Sequence, residues 1–150
     1  MRRVLALIAF TLLAACTPPA PSTEGGDTVT PGSTIDAATD PLAIAATPVI
    51  GEDIGVPVSL APRVSRIDGD WGWLIAQPWT PDGAAIDWSQ TRHASRAENG
   101  VMDSSGTVYV LLKRENGSWR VVEHTVAPTD VAWLDWPQRH GAPASLFVTE

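Results

Sequence analysis

Asn116-Gly117 is the pair that most narrows what this chain can fold into. A two-residue hairpin turn whose twist matches its strands needs positive φ at both central positions, and Asn-Gly meets that need at little cost. Strand-like runs rich in β-branched and aromatic residues flank it, at 107–114 (TVYVLLKR) and 118–126 (SWRVVEHTV). Along the second run Trp119, Val121, Glu123 and Thr125 alternate with Arg120, Val122, His124 and Val126, and neither set is cleanly apolar. A sheet covered on one side, with a partly wet second face or strand end, is the expectation.

Other local signals extend this core. Asp70-Trp71-Gly72-Trp73-Leu74-Ile75-Ala76-Gln77, stopped by Pro78, reads as a further strand, with residues 64–67 pairing with it or extending it. Thr80-Pro81-Asp82-Gly83 is a turn, and Ser89 is placed to cap a helical turn or two ended by Asn99-Gly100. Near the C-terminus Thr129 or Asp130 is placed to cap a short helix that puts Trp133 and Trp136 on one face, and Pro137 disfavours helical geometry at Trp136, so the helix is short or restarts there. Leu146-Phe147-Val148 closes the chain as an apolar patch or short strand. Strands followed by a helical cap predict an α+β domain, a small antiparallel sheet of about three to five strands with a short C-terminal helix.

That domain is expected at residues 49–150, because the composition changes before it. Residues 17–48 carry Pro18, Pro19, Pro21, Gly25, Gly26, Pro31 and Gly32 and no Lys or Arg, which predicts a disordered tether. A flexible chain of about 32 residues spans roughly 30 Å. Its end is open, since Asp40-Pro41 followed by Leu42, Ala43, Ile44, Ala45 and Ala46 is also a helix start, Asp40 capping and Pro41 in the first turn.

Residues 1–15 have the parts of a secretory signal: Arg2 and Arg3, then an apolar run from Val4 to Leu13 broken only by Thr11. The run is far shorter than the roughly 20 residues of a membrane-spanning helix. It ends in Leu13-Ala14-Ala15-Cys16, which resembles the lipobox of bacterial lipoproteins. The resemblance implies cleavage before Cys16 and lipidation of its thiol and new amino group. Several acyl chains give stable anchoring where one gives only reversible binding. Thr17, rather than an aspartate, follows the cysteine and resembles the default sorting to the outer membrane of Gram-negative lipoproteins, facing the periplasm. Cleavage elsewhere, as in an ordinary secretory signal, would leave Cys16 discarded or a stray thiol.

The C-terminal half, with Trp119-Arg120-Val121-Val122-Glu123, Pro128-Thr129-Asp130-Val131-Ala132-Trp133, Asp135-Trp136-Pro137 and Gly141-Ala142-Pro143, resembles a family of uncharacterised bacterial exported proteins. That resemblance implies no activity and no catalytic residue.

Chemistry is sparse. Ten basic side chains stand against seventeen acidic ones, a formal charge of −7, which argues against nucleic acid and against electrostatic docking on anionic lipid. Cys16 is the only cysteine, so the chain has no internal disulfide and, once lipidated, no thiol nucleophile. No G-x-S-x-G elbow or phosphate loop occurs. His93, His124 and His140 lack metal-ligand spacing, so no metal or cofactor is expected. Asp87, Asp130 and Asp135 would be a pair of acids for glycoside hydrolysis only if the fold gathered two of them, and each has a local capping or turn role. Seven tryptophans remain. Trp71, Trp73, Trp119, Trp133 and Trp136 are assigned to packing. Trp79 and Trp88 lie in polar loop surroundings, where an exposed ring can stack on a sugar or a partner protein.

The expectation is a lipid-anchored cell-envelope protein acting as a non-enzymatic binding or scaffolding module, in contact with the membrane through its lipid and with an envelope protein or glycan through its body. The alternatives are a small envelope enzyme acting on cell wall material and a subunit of an envelope assembly.

Overall fold

The computed structural model describes residues 36–148. The signal segment, Cys16 and the tether up to residue 35 lie outside the described residues. The first element, α1 (Pro41–Ile54), starts as the local sequence dictates. The Asp40 carboxylate accepts from the Ala43 N–H at 2.8 Å, and Pro41 occupies the first turn, where its missing donor costs nothing. Gly55 ends the helix at φ 88°, its N–H returning to the Gly51 carbonyl. Leu42, Ala46, Ile50 and Ile54, four residues apart in turn, form one buried stripe. The boundary expected between Pro48 and Val49 is therefore corrected: it falls inside α1. Pro48 does not end the segment, because it sits on the exposed side of a helix whose opposite face is already packed.

Four strands follow, β1 (Ser59–Asp68), β2 (Trp71–Trp79), β3 (Val108–Glu115) and β4 (Ser118–Val126), in an antiparallel sheet of order β1-β2-β3-β4. Each strand pairs with its sequence neighbour. At the β3–β4 turn, Asn116 and Gly117 adopt φ 52° and 80°, as the sequence requires. The fold is α+β, with short helices α2 (Ala94–Glu98) and α3 (Trp136–His140) and single 3₁₀ turns at Trp88–Gln90 and Ala144–Phe147.

Two bulges decide which side chains face where. Leu111 pairs with Glu123 and Leu112 with Val121, leaving Val122 as the extra residue of β4. One extra residue reverses the alternation beyond it. Trp119 and Val121 before the bulge, and Val126 after it, consequently pack into the same core. The mixed character of both alternating sets in β4 thus comes from the bulge together with the exposed Arg120 and Val122 on the far side. In β1, Pro62 pairs with Ala76 and Val64 with Ile75, so Arg63 is the unpaired residue.

Both faces of the sheet carry packed residues, and the second stays partly wet at β4, where Arg120 and Val122 are exposed, in keeping with the expected partly wet face or strand end. On one side α1 packs its buried stripe on Leu60, Leu74, Ala76, Val108, Val110, Leu112 and Val126. On the other, Trp73 and Leu111 are covered by Trp136, Ala142 and Leu146, with Trp133 and Phe147 at the margin. Trp73 is the hub: Trp136 meets it edge-on at 5.8 Å and Phe147 lies at 4.7 Å, while Trp133 stacks on Tyr109 at 3.9 Å.

The C-terminal cap is built differently from the sequence expectation. Residues 132–135 form turns, no helix starts at Thr129 or Asp130, and α3 begins at Trp136. Pro137 takes a first-turn position, the one place in a helix that tolerates it, so of the two expected outcomes the helix restarts there. Residues 144–147 turn instead of extending into a strand, and Arg66 donates to the carbonyls of Leu146 and Val148, tying this end to β1. Among the described residues no helix is long and apolar enough to cross a membrane.

Candidate functional site

Trp79 and Trp88, nine positions apart in sequence, line one cleft of about 430 Å³ together with Arg63, Gln77, Pro78, Ala85, Ile86, Ser104 and Ser105. Clefts of about 300–1,000 Å³ with apolar walls and a few placed polar groups are the usual form of small-ligand sites. A groove beside α1 of about 470 Å³, lined among others by Gly51, Gly55 and Pro57, is of similar size but offers no aromatic face.

Each wall is held by local chemistry. Trp79 ends β2 and bridges to Ala85 across the 80–84 turn, which Gly83 closes at φ 85°. Within that turn the Thr80 hydroxyl donates to Asp82 and holds its carboxyl below the usual range. Trp79 is 37 % exposed. Asp87, rather than Ser89, caps the 3₁₀ turn that carries Trp88, accepting from the Ser89 N–H and hydroxyl. The Trp88 ring is half-buried and rests against Gly106, where an added Cβ would stand 2.8 Å from its Cζ2.

The polar rim is tied together. Arg63, turned out by the β1 bulge, donates to the Gln77 side-chain carbonyl at 3.1 Å, and the Gln77 amide donates to the Ser105 carbonyl at 2.6 Å. Asp103 stands behind Ser105 and accepts from its N–H and its hydroxyl, and these bonds, more than the distant charge of Arg63, hold its carboxyl below the usual range. Tyr109 has its hydroxyl pushed up first by burial, then by the Asp103 charge.

The histidines divide between two places. His93 and His124 each bring Nε2 to 3.4 Å from the same Asp53 oxygen, at the end of α1. His140 meets Glu123 with Arg139 on the other side of the sheet. No three-histidine site forms, and among the described residues no group of three or more His, Cys, Asp or Glu side chains is arranged to hold a metal ion. For His93 the reason is legible. Arg96 donates to Nδ1 at 3.2 Å, and a guanidinium has no acceptor, so the neutral ring carries its proton on Nε2, where a metal would need a lone pair. That buried Nε2, although 3.4 Å from Asp53, makes no hydrogen bond of acceptable geometry.

Of the acids weighed as a catalytic pair, Asp87 caps the Trp88 turn and Asp135 pairs with Arg139, and no hydrogen bond or ion pair joins them among the described residues. Asp130 is exposed in a bend and caps no helix. Arg63 and Gln77 escape a motif search because neither sits in one. The available signal is Pro62, since proline within a strand marks an edge or a bulge. No protein-family model matches the chain, and no curated protein or solved structure matches it significantly.

Proposed function

We propose that this chain is a lipid-anchored cell-envelope protein, held at the outer membrane through Cys16, whose folded body is a non-enzymatic binding module that takes its ligand between Trp79 and Trp88. The observation that carries the binding reading is the convergence of these two indoles, from separate elements, on one cleft with a pre-tied polar rim. The acids whose ionisation the fold clearly changes, Asp82 and Asp103, are lowered by hydrogen bonds. A general acid needs the opposite shift, so neither of these two carboxyls suits that role. The anchor reading rests on the Leu13-Ala14-Ala15-Cys16 sequence.

Cys16→Ser is expected to abolish metabolic labelling with a fatty acid and to move the protein from the membrane to the soluble fraction with an unchanged circular dichroism spectrum. Unlabelled wild-type protein would end the anchor reading.

A further inference from the structure

Arg63 is the only charged side chain among those lining the cleft. It is exposed, it takes part in no ion pair among the described residues, and its one bond there, to the Gln77 carbonyl, uses one of five guanidinium donors. Gln77 is itself braced by the Ser105 carbonyl, so the guanidinium is oriented before any ligand arrives. The acid behind the rim, Asp103, accepts from Ser105 and forms no hydrogen bond or ion pair with Arg63, although its charge reaches the guanidinium. The cleft therefore places two indole side chains beside one cation that is held by Gln77 and bonded to no carboxylate among the described residues, inside a chain whose net charge is −7. Aromatic walls suit a ligand with a flat apolar face and polar edges. A guanidinium fork suits a carboxylate.

Resting on the reading of this cleft as the ligand site, we infer that its ligand is a carboxylate-bearing sugar, a hexuronic acid residue, with the ring on Trp79 and Trp88 and the carboxylate on Arg63. Arg63 is then the specificity residue, because it alone separates the acid from the neutral hexose of the same shape.

The test titrates the full-length lipidated protein in detergent with the methyl glycosides of glucuronic, galacturonic and mannuronic acid and their neutral hexose counterparts, read by indole fluorescence. At least one uronide is expected to bind about tenfold or more tightly than its counterpart, with a preference that falls as salt is added. Arg63→Gln should erase that preference, Arg63→Lys should restore part of it, and Trp79→Ala should abolish the fluorescence response. If a neutral hexoside binds equally well and Trp79→Ala abolishes binding, the acid preference is overturned while the cleft stands. If uronide binding survives Trp79→Ala, or none of the six sugars binds, the cleft falls as the sugar site and the inference with it.

Discussion

Gly72 shows how tightly a single position can be held. A Cβ there would stand 2.6 Å from Leu42 Cδ2 and 3.0 Å from Cδ1, with Trp119 at 3.3 Å on the other side. Leu42 is fully buried between α1 and the sheet, so its terminal methyls have nowhere to go. Gly72→Ala should therefore cost about 1–3 kcal/mol by overpacking, measured as a lowered urea midpoint with an unchanged slope. Gly72 stands out in the sequence only as a small residue between Trp71 and Trp73; the need for it comes from Leu42, thirty positions earlier. Asn116-Gly117 is the reverse case. Its backbone requirement is satisfied within the pair itself, so the turn is readable without any tertiary knowledge.

The start of α1 separates two readings of where the folded body begins. Asp40 is nearly buried and gives a first-turn N–H its only local partner, while Leu42, Ala43 and Ala46 lie in the core. Asp40→Ala is expected to lower stability by about 1 kcal/mol. A body starting at Val49 would be indifferent to the change, so chemical denaturation of the two proteins decides the point. The Asp40-Pro41 signal is local and legible, but composition alone placed the tether's end too late, because small and proline residues describe an exposed helix face as well as a linker. The position of the bulge at Val122 was not legible. The mixed alternation of β4 marks an irregularity, but which residue is the extra one is defined by pairing with Leu111 and Leu112 on another strand. The misplaced cap at the C-terminus has a similar cause: Thr129 and Asp130 offered a good local start, yet Trp136 is drawn to Trp73, and the helix begins where that contact fixes the chain.

For the whole molecule, the second face of the sheet depends on residues that come last in the chain. Removing residues 133–150 would strip Trp133, Trp136, Leu146 and Phe147 from Trp73, Tyr109 and Leu111. Each large apolar side chain contributes about 1.5–3 kcal/mol when fully buried, against the ~5–15 kcal/mol that holds a domain of this size together. The truncated protein should lose its near-ultraviolet circular dichroism and aggregate; a soluble protein with an intact aromatic spectrum would show that α1 and the sheet suffice.

What the sequence determined by itself is whatever is encoded over a few neighbouring residues: the Asn-Gly hairpin, the Trp71–Trp73 strand face, the capped start at Asp40-Pro41, and the N-terminal run to Cys16 on which the anchor proposal rests. These follow from backbone dihedral preference, side-chain alternation and local hydrogen bonds, each acting at short range. Only the tertiary structure decided that the C-terminal residues cover the second face around Trp73, that Val122 reverses one strand, and that Trp79, Trp88 and Arg63 share a cleft. Those facts depend on strand register and on Gly106 leaving room for the Trp88 ring, and register is set by pairing between residues far apart in the chain.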